Sequence, residues 1–247
     1  MTTKLSVNLN KIALIRNSRG HNFPNLLEFA QKCISHGAHG ITLHPRPDQR
    51  HATYQDVAEL CALRKNQPDF EVNIEGFPTS KFLEVVLKNK PDQCTLVPDD
   101  PSQLTSDHGW DIQSNKKFLL EVSEKLRGAG VRVSIFMDPD AESVALCNGL
   151  PIDRIELYTE EYAVAFIEDR WAPILAGYKA TAIQASEMQL GINAGHDLNL
   201  RNLSKFIQTV PKVLEVSIGH ALVVESLEMG LETVVKKYLE ILGDAGA

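Results

Sequence analysis

The sequence lacks every mark of a membrane, an oxidising compartment or a nucleic-acid partner. No apolar run approaches the roughly 20 residues that a membrane-spanning helix needs. The opening Met1-Thr2-Thr3-Lys4-Leu5 has no apolar stretch of the kind a secretory signal carries, so the expected location is cytoplasmic. Cysteine is scarce: Cys33, Cys61, Cys94 and Cys147 are scattered among apolar neighbours, with no C-x-x-C pair. This excludes a disulfide framework and predicts buried free thiols in reducing surroundings. A cation excess is missing too; the formal net charge of −7 argues against a general nucleic-acid binder. Only the first 27 residues run the other way, with Lys4, Lys11, Arg16 and Arg19 and no carboxylate. No H-x-H or H-E-x-x-H spacing occurs, which disfavours a metal site built on histidines. No linker or low-complexity tract interrupts the chain, and a single domain over 1–247 is expected.

What is present is hydrophobic patterning in a chain of 247 residues, 43% of them hydrophobic and 23% charged, enough for a large core. Strands are expected over 4–10, 40–44, 70–76, 93–98, 131–138, 154–160, 190–195 and 213–220. Helices are expected over 24–36, 54–65, 79–89, 115–127, 141–148, 162–186, 199–209 and 222–242. Loops cover 16–20 and, at greater length, 99–114. Strict alternation of strand and helix implies a parallel sheet. Eight such units in a chain of this length point to an α/β fold of the closed (β/α)8 TIM barrel type, which typically takes about 250 residues.

Parallel barrel strands normally read as continuous apolar runs. These do not. Ser6, Asn8 and Asn10 alternate with Leu5, Val7 and Leu9; Glu71, Asn73 and Glu75 alternate with Val72 and Ile74; Glu156, Tyr158 and Glu160 alternate with Ile155 and Leu157. Thr42 and His44, Ser134 and Asp138, and Glu215 and Ser217 continue the pattern. The apolar parity must face the helices and the polar parity the barrel interior, where unpartnered polar groups would cost several kcal/mol each. The polar side chains must therefore bond one another, water or a ligand. Barrel active sites lie at the C-terminal strand ends, and Asn10, His44, Glu75, Asp138, Glu160, His196 and His220 all fall there; Glu71 and Glu215, lower in their strands, fit an internal hydrogen-bonded layer.

Three stretches carry chemistry. In 40–51, two prolines end a strand, and His44, Arg46, Arg50 and His51 follow closely, an arrangement suited to an anion and above all to phosphate. Glu75 sits in Asn73-Ile74-Glu75-Gly76-Phe77, where burial would raise its pKa and fit it for acid/base work. Asn193-Ala194-Gly195-His196-Asp197 and Ile218-Gly219-His220-Ala221 place histidines beside glycines in the loops that form a recurrent phosphate site in barrels. From the residues alone three readings stand. One is an acid/base enzyme on phosphorylated substrates. A second is a metal-dependent hydrolase or isomerase ligated by His44, Glu75, Asp138, His196 and His220. The third is an inactive oligomeric scaffold.

The runs Val7-Asn8-Leu9-Asn10-Lys11-Ile12-Ala13 and Arg16-Asn17-Ser18-Arg19-Gly20 resemble the opening of the pyridoxine 5'-phosphate synthase family of vitamin B6 biosynthesis. So do Gly40-Ile41-Thr42-Leu43-His44-Pro45-Arg46 with Arg50-His51, Leu96-Val97-Pro98, Asn193-Ala194-Gly195-His196 and Ile218-Gly219-His220-Ala221, in the family's order over nearly the whole chain. The resemblance implies a cytoplasmic TIM-barrel transferase, assembled as an octamer, that needs no metal or organic cofactor. It would condense 3-amino-2-oxopropyl phosphate with 1-deoxy-D-xylulose 5-phosphate to give pyridoxine 5'-phosphate, phosphate and water. It implies that His44 and Glu75 accept protons, His196 donates one and Glu156 stabilises a transition state. Asn8, Gly219 and His220 would hold the amino ketone phosphate. Arg19, Arg46, His51 and Thr105 would hold the sugar phosphate beneath a lid formed by 99–114. The chain departs from many members at Asn10-Lys11, where they have Asp-His, at Asp197, where they have Gly, and at Glu225, where they have Arg. The substituted side chains Asn10, Lys11 and Asp197 remain at the expected substrate site; Lys11 keeps a proton-bearing group and Asn10 a hydrogen-bonding one.

Overall fold

The computed structural model describes residues 2–99 and 106–243. Eight strands close into one parallel barrel in sequence order, β1 to β8, with β8 returning to β1. They are β1 Lys4–Asn8, β2 Gly40–Leu43, β3 Glu71–Gly76, β4 Gln93–Leu96, β5 Arg132–Met137, β6 Arg154–Tyr158, β7 Gly191–Gly195 and β8 Val213–Ile218. The helices among the described residues are α1 Asn10–Asn17, α2 Leu26–Ser35, α3 Tyr54–Asn66, α4 Ser80–Asn89, α5 Ile112–Gly128, α6 Ala141–Ala145, α7 Glu160–Ile167, α8 Trp171–Glu187, α9 Leu203–Thr209, α10 His220–Met229 and α11 Leu231–Ile241.

The alternation within the strands has the expected meaning. Ile41, Leu43, Val72, Ile74, Ile155, Leu157 and Val216 are fully buried, each contributing about 1.5–3 kcal/mol on leaving water. The polar parity fills the inside of the barrel. Thr95 on β4 reaches Glu156 on β6, and Asn193 on β7 reaches Gln93 on β4, contacts between non-adjacent strands that must cross the interior. At the N-terminal end Glu71 receives Lys4 at 2.7 Å and also pairs with Arg132, while Arg154 stands 3.6 Å from Glu215. Glu71 and Glu215 are thus the internal ionic floor on which the site stands. The four thiols are free and buried, and burial pushes Cys33 and Cys61 up to about 12.

Several boundaries differ from the expected ones. β1 stops at Asn8, and the residues expected to continue it and then loop form α1. There the Asn8 side chain accepts the Asn10 N–H at 3.0 Å and turns the chain. Arg16, buried at 9% exposure, ties α1 to α3 through Asp56 at 2.5 and 2.9 Å. The helix expected over 162–186 is two, because Asp169 is left-handed (φ 55°). Gly230 (φ 84°) splits the last helix likewise. The Asp111 side chain accepts the Ser114 N–H, so α5 opens at Ile112, ahead of the expected start. No helix of the described residues is long and apolar enough to cross a membrane.

Candidate active site

A cavity of about 350 Å³ opens at the C-terminal ends of the strands. Of the residues singled out in the sequence, Asn8, Asn10, Lys11, His44, Arg46, His51, Glu75, Glu156, His196, Asp197, Gly219 and His220 line it. Arg19 does not: it is exposed on the turn after α1. Thr105 lies outside the described residues, and the segment 99–114 is described only at Asp99 and from Ser106 onward. Asp138 serves elsewhere, accepting the Gly109 N–H at 2.9 Å and anchoring the stretch that leads into α5. Glu225 likewise is a brace: it accepts the Leu200 N–H at 3.1 Å and the Tyr238 hydroxyl at 2.5 Å.

The wall formed by β1 and β2 is cationic and amide-rich. Asn8 accepts the Asn10 N–H, and Asn10 Oδ1 accepts the His44 N–H at 2.9 Å. Both amide oxygens are thereby used, so each side chain offers the cavity an NH2 donor. Arg46 is 3% exposed and meets Asp99 at 2.5 Å, with Ser106 donating to the same carboxylate oxygen at 2.7 Å. His51 Nδ1 accepts the Ala52 N–H, which places the proton of the neutral ring on Nε2. The His51 ring lies edge-on to that of His44, with centroids 6.0 Å apart. Burial lowers His51 to about 4, and Arg46 and Arg50 add to the effect.

Four groups in the interior set the proton inventory. His44 Nδ1 stands 4.0 Å from Glu75 Oε2, beyond a hydrogen bond but within reach of one on substrate closure. Burial holds His44 well below its ordinary value, and Arg46, His51 and His196 push the same way. Burial lifts Glu75 well above the carboxylate range, reinforced by Glu156 and Asp99. Glu156, at 2% exposure, is raised to about 8, mainly by burial and then by Glu215. His196 is lowered to about 4 by burial, with Asp197 opposing and Arg46 and Lys11 assisting. Burial therefore favours the protonated form of both carboxyls and the neutral form of both imidazoles.

The hydrogen bonds agree with that inventory. Thr95 Oγ1 has one proton and touches both Asn73 Oδ1 (3.1 Å) and Glu156 Oε2 (3.2 Å). A protonated Glu156 satisfies both contacts by donating to Thr95, which then donates to Asn73. Asn73 in turn donates to Thr42 at 3.4 Å, and Thr42 meets Ser6 at 2.7 Å. The chain of donors thus runs from β6 across the interior to β1.

The opposite wall holds Glu160, which the strand-end argument placed at the active-site end, and residues that sequence reasoning did not select as site residues. Tyr158 and Glu160 line the cavity and bond each other. Their signal was present, since they share the parity of Glu156. Ser106 and Ser217 also line it. Asp99, partner of Arg46 at a distance of 53 residues in sequence, had no local signal. Gly219 packs closely on β1, where a Cβ would sit 3.0 Å from that of Asn8. It leads directly into α10, whose first turn has no side-chain cap and faces the cavity through Gly219, His220 and Ala221. Among the described residues, no group of three or more His, Cys, Asp and Glu side chains is arranged to hold a metal ion.

Solved structures with this architecture are distant in sequence. A 3-keto-L-gulonate-6-phosphate decarboxylase from Vibrio cholerae superposes with a TM-score of 0.66 at 9% identity, with all of both chains covered. That likeness shows the fold alone. Sequence relatives are much nearer. The chain is 49% identical over 240 residues to the pyridoxine 5'-phosphate synthase of Bacteroides fragilis, covering 97% of this chain and 99% of that one. It is 47% identical over 247 residues to the synthase of Albidiferax ferrireducens, covering 98% of each. Residues 5–244 match the family described as pyridoxal phosphate biosynthesis protein PdxJ. With the barrel closed, the cavity at its C-terminal end and near-complete alignment to these relatives, the chain belongs to the PdxJ family.

Proposed function

We propose that this cavity joins an amino ketone phosphate to a deoxy sugar phosphate, 3-amino-2-oxopropyl phosphate and 1-deoxy-D-xylulose 5-phosphate, through the proton inventory just described. The chain is an enzyme, a pyridoxine 5'-phosphate synthase. The observation that carries the residue assignment is the convergence of His44, Glu75, Glu156 and His196 on one cavity that also presents Lys11, Arg46 and a helix N-terminus.

An amine attacks a ketone only after losing its ammonium proton. Neutral imidazoles suit that task, and His44 beside Glu75 is placed for it. The arriving phosphates bring negative charge beside the histidines, which favours their protonated form and equips His196 to donate a proton to a departing oxygen. Glu75 becomes an acceptor once its own proton has passed on, so it and His44 work as a pair. Glu156, neutral and hydrogen-bonded at the barrel centre, stabilises a developing oxyanion as a donor. The open first turn of α10, with Asn8, Gly219 and His220, suits the amino ketone's phosphate. Asn10, Lys11, Arg46 and His51 form the wall for the sugar phosphate, with Arg19 and Thr105 as further contributors, and Asp197 offers its backbone N–H. The binding and chemistry assigned here use side chains and backbone of this chain and no cofactor. The reaction is placed in the cytoplasm, where the four thiols stay reduced.

Self-association, as an octamer, is part of this reading. The support is exposed apolar surface: Phe23 and Leu227 are each 80% exposed and Ile167 79%. The deciding assay measures phosphate release. Release that requires both substrates together, and yields pyridoxine 5'-phosphate, is the expected result. Release from either substrate alone, or none from both, refutes the reading.

A further inference from the structure

We propose that Thr159 is a positioning residue, a hydroxyl latch that holds the end of β7 in a left-handed turn and so aims His196 into the cavity. His196 has φ 79° and Asp197 φ 59°, two successive non-glycine residues in the region that L side chains avoid. Such a turn persists only when its surroundings over-determine it, and here they do. The Thr159 N–H donates to the Gly195 carbonyl at 3.0 Å. The Thr159 hydroxyl, fully buried, reaches the same carbonyl at 2.7 Å and the carbonyl of His196 itself, and its single proton is shared between the two. The next carbonyl, that of Asp197, receives the Asn202 and Asn199 amides at 3.1 and 3.2 Å.

The imidazole of His196 has ring contacts but no anchoring hydrogen bond among the described residues. It lies edge-on to Tyr158 and Phe136, with centroids 5.1 and 5.4 Å away. Its orientation is therefore inherited from the backbone, and the Thr159 hydroxyl is the side-chain group that grips that backbone at His196. The charged and titratable groups around the ring are Asp197 on its own loop, Tyr158 on β6, Lys11 on α1, and His44 and Arg46 after β2. None of them bonds it in place.

The test compares Thr159→Val, which keeps the shape and loses the hydroxyl, with Thr159→Ser, which keeps the hydroxyl. The first readout needs no substrate. In protein with labelled histidines, with the His196 signal assigned by its loss in His196→Asn, the ring is followed from pH 5 to 8. The parent and Thr159→Ser are expected to stay neutral across this range, because burial holds the imidazole near 4. In Thr159→Val the ring swings toward water and its midpoint rises by about one unit or more, toward the ordinary 6.5. Should Thr159→Val fail to fold, the same titration is run in Thr159→Val with Asp197→Gly, since glycine accepts the left-handed conformation without strain. Identical titrations in the valine variant and the parent overturn the proposal, as does a serine variant that behaves like valine.

The second readout, kinetic, rests on the reading of His196 as the proton donor: kcat falls about ten- to a hundredfold in Thr159→Val with KM little changed, and serine restores it. A shifted titration with unchanged kcat supports the latch and refutes the donor role of His196.

Discussion

At the scale of single residues, burial in the resting site favours the protonated form of its acids. Glu75 is 8% exposed, close to Glu156 and to the Arg46–Asp99 pair, and burial holds it well above the ordinary carboxylate range. Its partner His44 is correspondingly neutral. Glu75→Gln keeps the shape and removes the exchangeable proton. The general acid/base role requires a loss of about 10² to 10⁴ in kcat, or roughly 3 to 5 kcal/mol. The thermal midpoint is expected to hold or rise, because glutamine resembles the neutral acid already there. Phosphate release at saturating substrates, measured beside a melting curve, checks both. More than about a tenth of parental kcat in a normally folded variant would remove Glu75 from the mechanism.

At the scale of elements, the site depends on how closely β6 and β7 approach. They pair in register, Glu156 opposite Asn193 and Tyr158 opposite Gly195. A Cβ on Gly195 would lie 2.6 Å from Glu156 Oε1. Because the clash is with the end of a side chain, Gly195→Ala is expected to fold, with the Glu156 carboxyl displaced and its bond to Thr95 broken. Activity should fall at least about tenfold for a thermal shift of only a few degrees, read by the same two assays; unchanged kcat would show that the placement of Glu156 is immaterial. The strand parity that exposed Glu156 in the sequence also contained Tyr158 and Glu160. What the alternation misplaced was the end of the strand: β6 stops at Tyr158 and Glu160 opens α7. The same ambiguity hid α1, where Asn10 keeps the alternation of β1 although it already starts a helix.

At the scale of the whole molecule, the buried acids and histidines give stability a pH dependence whose sign can be worked out. Glu156 rises from an ordinary 4.5 to about 8 on folding, and Glu75 also rises. The folded protein thus binds more protons than the unfolded chain, and stability is lost as pH rises from 4.5 toward 8. His44 and His196 act oppositely: lowered from 6.5, they cost stability as pH falls below 6.5. Between pH 4.5 and 6.5 these effects offset each other; above 6.5 only the acids remain. The ligand-free enzyme should therefore melt progressively lower from about pH 6.5 to 8, and Glu156→Gln should flatten that slope. An unchanged slope in the variant would show that Glu156 is ionised in the folded state. Association belongs to this scale as well. Sedimentation at micromolar concentration is expected to show an oligomer, with the exposed apolar side chains of α1, α7 and α10 covered; a monomer would refute that part of the reading.

Periodicity, read along the chain, was enough to specify eight β/α units and the polar parity that fills the barrel, and to put His44, Glu75 and His196 at the strand ends; a role for Glu156 came only from the family resemblance. Those features are local: a strand alternates with period two whatever surrounds it, and polar groups in a closed interior need partners. Tertiary structure decided the rest. Only closure of the barrel brings Asp99 to Arg46 and sets Glu156 beside Thr95. It also places Arg16 against Asp56, so that a residue read as part of a cationic loop is a buried brace. Protonation states were decided there too, because desolvation and neighbouring charge exist only after distant strands have met. The left-handed turn at His196 and Asp197 is of the same kind: neither residue favours it by itself, and it stands because Thr159 and Asn202, from other elements of the fold, accept no alternative.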